Sequence, residues 1–269
     1  MKIGVIGVGA MGEAIVSAVL TAKLATNDEI KVANHVKVRL EYMAATYGVE
    51  ASSEHRSAAA KADFLVLAVK PQDFPAAAAE LREHLRPETT VISIMAGVKI
   101  ADIVSLLGTE NVVRAMPNTP AQVGQGMTGW TATAGVSPEA REGARRIFGA
   151  MGKEAFVPDE KYIDMVTGLS GSGPAYVFLF IEALTDAGVH IGLPRDIAST
   201  MALQTVLGSA VYAEKTGKHP AELRNQVTSP GGTTAEGLKA LEHGNLRADV
   251  LDAVIAAYEK SKALGEETK

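Results

Sequence analysis

Near the start of the chain, Gly7-Val8-Gly9-Ala10-Met11-Gly12 follows a β-branched run over residues 2–6 and opens a helical stretch over residues 13 to about 24. A G-x-G-x-x-G held between a strand and a helix constrains the fold more tightly than any other feature here. Gly7 permits a tight turn, Gly9 lets backbone approach a pyrophosphate, and Gly12 lets the helix pack on the strand while its N-terminus faces the phosphates. The reading is a dinucleotide-binding, Rossmann-type start, with Ile6, Gly7, Gly9, Ala10, Met11 and Gly12 as candidate contacts.

Over residues 1–158, short β-branched runs alternate with longer helical stretches, the pattern of βαβ units in a parallel sheet. Six central strands are expected at residues 2–6, 30–34, 49–51, 63–69, 90–95 and 111–115, and two edge strands at 127–133 and 154–157. From residue 159 to 269 the β signal gives way to Ala- and Leu-rich helical patterns. The expected architecture is α/β: an N-terminal Rossmann-type, doubly wound, mostly parallel sheet, then an all-α C-terminal domain for substrate binding and dimerisation. A helix over residues 195–215 has hardly any polar face, so it needs burial on all sides. A homodimer built through the C-terminal helices supplies that burial, and a core helix in a monomer is the alternative. Residues 265–269 read as an unstructured tail.

Several function classes fall away. The chain has no cysteine, which removes disulfides, thiolate catalysis and cysteine-ligated metal, and fits a reducing cytoplasm. A net charge of −5 without a basic run offers nucleic acid no footprint. The six histidines are scattered without an H-x-x-x-H pair, so no metal is expected. Gly171-Ser172-Gly173 lacks the spacing of a nucleophile elbow, against a serine hydrolase. The longest apolar run, residues 175–181, falls well short of the roughly 20 residues a membrane span needs and reads as a buried helix segment. No signal peptide opens the chain, so a soluble, cytoplasmic protein without a membrane partner is expected.

An NAD-specific site places a carboxylate at the end of the second strand; here Asn34 stands there. With no charge to repel a 2′-phosphate, and Lys37 and Arg39 just downstream, NADPH is favoured and NADH is the alternative, although both cations could also belong to a solvated helix face. Ala68-Val69-Lys70-Pro71 and Met95-Ala96-Gly97 end two further strands at the carboxyl edge, where doubly wound folds bind ligands, or else are plain turns. Two loops, Leu169-Ser170-Gly171-Ser172-Gly173-Pro174-Ala175 and Thr228-Ser229-Pro230-Gly231-Gly232-Thr233-Thr234, each run into a helix. Free amides and hydroxyls there, including Ser172, suit a small carboxylate; ordinary capping is the alternative.

These stretches together resemble the pyrroline-5-carboxylate reductase family, which reduces a cyclic imine to proline. The resemblance spans nearly the whole chain and is carried by the glycine fingerprint, Ala68-Val69-Lys70-Pro71-Gln72, Arg114-Ala115-Met116-Pro117-Asn118-Thr119-Pro120, Gly168 to Tyr176, and above all Val227-Thr228-Ser229-Pro230-Gly231-Gly232-Thr233-Thr234. It implies hydride transfer to the imine carbon of a small cyclic imine carboxylate at a dimer interface, in a homodimer that could build a larger ring. Thr234 would hydrogen-bond the ring nitrogen, Ser229 and the Gly231-Gly232-Thr233 backbone would hold the carboxylate, and Gln226 stands where some relatives have a substrate-contacting asparagine. Met116, Pro117 and Asn118 would border the nicotinamide. His55 departs from the asparagine that relatives often carry on the adenosine side. The alternatives are a related imine or β-hydroxyacid reductase, and a non-catalytic NADPH-sensing protein; residues 176–187 lack the lysine expected of a β-hydroxyacid dehydrogenase.

Overall fold

Eight strands form one sheet in the computed structural model, which describes residues 1–267. In chain order the first part runs β1 (Ile3–Ile6), α1 (Ala10–Thr21), β2 (Ile30–Ala33), α2 (Lys37–Tyr47), β3 (Glu50–Ser52), α3 (His55–Ala59), β4 (Phe64–Leu67), α4 (Phe74–Leu81), β5 (Thr90–Ser93), α5 (Ile100–Leu107), β6 (Val112–Met116), β7 (Gly126–Ala132), α6 (Pro138–Ala150) and β8 (Gly152–Phe156). The strand order is β3-β2-β1-β4-β5-β6-β7-β8, parallel throughout except for the β6–β7 pair. All eight expected strands occur, with two corrections of place. β7 lies inside the sheet between β6 and β8, because the α6 crossover returns the chain parallel to it. β3, expected to be central, is an edge of three half-buried or exposed residues.

Every residue of β1, β4, β5 and β6 is buried, as parallel strands covered on both faces must be. One apolar layer includes Ile15, Val19, Met43, Ile147 and Phe148 from α1, α2 and α6. The other includes Phe74, Leu81, Ile103 and Leu107 from α4 and α5. Burying each such side chain contributes about 1.5–3 kcal/mol, so this part carries its own core. Chain direction away from β1 reverses between β1 and β4, which places a crevice at their carboxyl ends.

The remainder comprises α7 (Lys161–Val166), a π turn (Thr167–Gly171), α8 (Gly173–His190), α9 (Arg195–Thr216), α10 (Pro220–Gln226), α11 (Thr233–His243) and α12 (Leu246–Glu267). Contacts divide the chain into a sheet unit, Met1–Ser172 with the chain from Ala256 onward, and a helical unit, Gly173–Ile255. Composition changes at 158/159, but α7 and the end of α12 belong with the sheet. Their anchor is Arg114, fully buried on β6. Its guanidinium donates to Glu160 Oε1 at 2.6 Å and to Asp164 Oδ1 at 3.4 Å. Ser261 on α12 donates to the same Asp164 oxygen at 2.8 Å, and the Ile100 amide donates to Glu160 at 2.7 Å.

In the helical unit only Thr185, Ala198 and Ala202 are buried. Gly188 lets α8 and α9 meet, since a Cβ there would lie 2.9 Å from Ala198 Cβ. The run at residues 175–181 is helical, yet in the single chain Phe178 is 61% and Leu179 67% exposed, which corrects the buried segment expected there. On α9, Met201, Leu203 and Leu207 are likewise exposed. Residues 265–267, expected to be unstructured, continue α12; Thr268 and Lys269 lie outside the described residues.

Candidate active site

The chain leaves β1 at buried Ile6 and turns at Gly7, whose φ of +92° lies in the region that side chains avoid. Its amide donates to Ala33 O at 2.8 Å, and a Cβ would sit 2.6 Å from Ala68 O. A Cβ on Gly12 would run into Gly7 O, so α1 packs against the turn itself. Gly9 is exposed, with no heavy atom within 4 Å of where its Cβ would point. It caps α1 without a side chain, and the first helical bond runs from the Glu13 amide to Gly9 O at 3.0 Å. The amides of Ala10, Met11 and Gly12 precede that bond. Open space before uncapped amides at a helix N-terminus suits a pyrophosphate.

Asn34 follows β2, its amide donating to Ser52 O at 3.2 Å. The two cations just downstream, weighed in the sequence between support for a 2′-phosphate and a solvated helix face, are differently placed. Lys37 projects into solvent and pairs with Glu41 at 3.7 Å. Arg39 turns back to the glycine loop, donating to Val8 O at 2.9 and 2.8 Å and to Glu13 Oε2 at 2.6 Å. His55 is buried with its ring centroid 4.6 Å from that of His35, and its Nδ1 lies 3.2 Å from Glu80 Oε2. Burial pushes the His55 imidazole below its ordinary range; Glu80 opposes that shift and His35 adds to it.

The other carboxyl-edge segments lie in the same unit. Ala68 and Val69 are half-buried, and exposed Lys70 precedes a short turn that begins at Pro71. Met95 is buried, Ala96 is half-buried, and Gly97 has φ +76° with Leu264 and Gly265 of α12 against it. Met116 and Pro117 are buried at the end of β6. Asn118 joins two strands of chain: its Nδ2 donates to Ser170 O at 3.0 Å, and its Oδ1 accepts from the Met127 amide at 2.8 Å.

Residues 169–175, expected as a loop opening a helix, are instead mostly the π turn and the start of α8. The Ser172 amide donates to Thr167 O at 2.8 Å, and the Thr167 and Ser170 hydroxyls bond to the carbonyls of Ile163 and Val166. The amide of Ser172 is thus engaged within the turn, and α8 begins one residue later at Gly173.

The second loop, in the helical unit, keeps its expected form. Gln226 ends α10, and Thr228 Oγ1 donates to Arg224 O at 2.6 Å. Gly231 has φ +68°, and the Gly232 amide closes a turn on Ser229 O at 3.0 Å. Gly232 caps α11 without a side chain. The first helical acceptances at Gly232 O come from Ala235 and Glu236, at 3.1 and 3.3 Å, leaving the Thr233 and Thr234 amides ahead of them. Ser229 and Thr233 are exposed and Thr234 is half-buried. The sequence reading assigned no role to Arg114; its signal was a lone charge in the otherwise apolar run Val112-Val113-Arg114-Ala115-Met116.

Known proteins match this arrangement along its whole length. The family model described as pyrroline-5-carboxylate reductase dimerisation covers residues 160–264, and that described as NADP oxidoreductase, coenzyme F420-dependent, covers residues 2–97. The pyrroline-5-carboxylate reductase of Synechocystis sp. is 45% identical over 99% of both chains. The solved pyrroline-5-carboxylate reductase of Coxiella burnetii superimposes with a TM-score of 0.91 at 38% identity, covering 98% of each chain. A Plasmodium falciparum pyrroline carboxylate reductase, solved with NADP bound, gives 0.89 at 34% identity, again over 98% of each. With such identity sustained through both the glycine-turn unit and the uncapped helix of the second, the chain belongs to the pyrroline-5-carboxylate reductase family.

Proposed function

We propose that this protein reduces L-1-pyrroline-5-carboxylate to L-proline with NAD(P)H, the final step of proline formation. Family membership over the full chain carries the reading. When bound, the reduced dinucleotide supplies the hydride. The glycine turn and the amides of Ala10, Met11 and Gly12 hold its pyrophosphate, with Met116, Pro117 and Asn118 bordering the nicotinamide; the uncapped α11 N-terminus in the other unit holds the substrate carboxylate through Ser229 and the Gly231–Thr233 backbone. Ser172 and Gln226 complete the proposed substrate set, Ser172 through its side chain, since its amide is engaged.

The reaction adds a hydride to the imine carbon and leaves a proton on nitrogen. A protonated imine brings that proton itself, so positioning carries much of the catalysis. Thr234, half-buried in the first turn of α11, hydrogen-bonds the ring nitrogen and aligns it. Thr234→Ala is expected to lower kcat roughly 10–100-fold, about 1.4–2.7 kcal/mol of barrier, with cofactor affinity unchanged. An unaltered turnover number removes the residue from that role.

The preference for NADPH rests on Asn34, since Arg39 is engaged at Val8 and Glu13. Asn34→Asp places an anion beside the 2′-phosphate and is expected to raise KM for NADPH on the order of tenfold while leaving that for NADH nearly as it was. Equal changes for both cofactors exclude Asn34 from the discrimination.

The exposed apolar faces of α8 and α9, with the matched dimerisation model, support a homodimer, and light scattering should give about twice the chain mass of 28.1 kDa. A higher even multiple would be the mass expected of a ring of dimers. No helix among the described residues is long and apolar enough to cross a membrane, and a cysteine-free chain is compatible with the cytoplasmic placement expected from the sequence. The decisive assay follows oxidation of NADPH and NADH with pyrroline-5-carboxylate and identifies proline as product. Cofactor binding without turnover would favour the non-catalytic sensor.

A further inference from the structure

The cation nearest the glycine loop is not offered to a ligand. We propose that Arg39 is a positioning residue that fixes the phosphate-binding turn from behind, setting affinity for both dinucleotides alike. The proposal rests on the dinucleotide reading of that turn. Two guanidinium nitrogens, Nε and Nη2, donate to the one carbonyl of Val8 at 2.9 and 2.8 Å. Gly9, on the far side of that peptide, is exposed and has open space where a Cβ would be. Glycine also leaves the peptide bonds flanking it free to reorient.

Peptide planarity turns that carbonyl contact into control of an amide. In a trans peptide the C=O of Val8 and the N–H of Gly9 point in opposite directions. Holding the carbonyl towards α2 therefore aims the Gly9 N–H away from α2. In this proposal the Gly9 N–H joins the amides of Ala10, Met11 and Gly12 as a donor to the pyrophosphate, and a flip of the peptide would replace it with a carbonyl oxygen, which repels that anion.

The guanidinium is itself braced. Glu13 Oε2 accepts from Nη2 at 2.6 Å, and the Arg39 guanidinium carbon lies 4.9 Å from the Tyr42 ring centroid. The other oxygen of Glu13 accepts from Tyr42 at 2.9 Å and Tyr47 at 3.0 Å. Burial pulls the Glu13 carboxyl upward, but its hydrogen bonds from Arg39, Tyr42 and Tyr47 outweigh burial and hold the group below the usual carboxylate range. Tyr47 is pushed up to about 12 by burial and by its bond to Glu13. The bracing carboxylate thus stays anionic and Tyr47 protonated at neutral pH.

The test compares Arg39→Met and Arg39→Lys, measuring Kd and KM for NADPH and NADH together with amide exchange over residues 8–12 in the cofactor-free protein. Both variants are expected to weaken both dinucleotides by the same factor, on the order of tenfold, with the loss in KM rather than kcat and faster exchange in the turn. Lysine fails to rescue because a single ammonium cannot reproduce the fork between Val8 and Glu13. A loss confined to NADPH, with Arg39→Lys near wild type, overturns the proposal in favour of a 2′-phosphate contact; unchanged affinity and exchange overturn it outright. Wild-type protein that binds neither dinucleotide would instead refute the reading of the turn, while the exchange measurement still decides whether Arg39 holds it. If Arg39→Met fails to fold, Glu13→Gln carries the same comparison with a smaller equal shift.

Discussion

Arg114→Met is expected to cost about 3 kcal/mol of stability, the lower end of the range for breaking a buried ion pair. The wild-type side chain is 2% exposed and faces two carboxylates, of which Asp164 is 16% and Glu160 31% exposed. Removing the cation leaves both without their partner in a half-dry setting, and their partial exposure is why the lower figure applies. The melting temperature, measured at fixed protein concentration, should fall by roughly 6–12 °C. Converting Glu160 and Asp164 to glutamine and asparagine in the same protein should return much of the loss, because the penalty comes from the unpaired charges. A single variant that melts within 1 °C of wild type would show that α7 and the end of α12 are held by other contacts.

Gly12→Ala is expected to weaken NADPH binding on the order of 100-fold, about 2.7 kcal/mol, and to lower stability as well. Its methyl group would collide with Gly7 O, so α1 must shift away from the turn that aims its amides. Gly9→Ala separates the two effects. Nothing in the protein lies within 4 Å of that methyl, so the fold should melt as wild type does while the methyl projects into the space the pyrophosphate needs. Fluorescence titration with NADPH and thermal melts of both variants form the check. Normal binding by Gly9→Ala would contradict the placement of the pyrophosphate.

The strands were legible because β-branched runs such as Thr90–Ser93 stand between clear helical stretches, and the glycine fingerprint marked the first turn by position alone. What could not be read was partnership. Periodicity locates β7 but does not say that β8 will pair with its outer edge. Spacing puts Arg39 on a helix beside the cofactor site, yet a guanidinium on a long stem can reach either solvent or Val8, and the carbonyl won. The glycines at 168, 171 and 173 with Pro174 look like loop punctuation; a π turn and the start of α8 use the same residues, the turn absorbing the extra residue through the Ser172-to-Thr167 bond. In the second loop the local reading held, because Gly231 and Gly232 fix the turn through backbone conformation, which sequence does encode.

The sparse interior of the helical unit gives activity a mass-action component. With only Thr185, Ala198 and Ala202 buried, that unit lacks a core of its own, whereas the sheet unit has two apolar layers. Its folding free energy is then largely bimolecular and depends on subunit concentration. Dilution below the dissociation constant of the dimer should unravel the α11 loop before it disturbs the glycine turn. Turnover per subunit would decline while dinucleotide binding persisted, so enzyme concentration itself becomes a variable in any kinetic comparison.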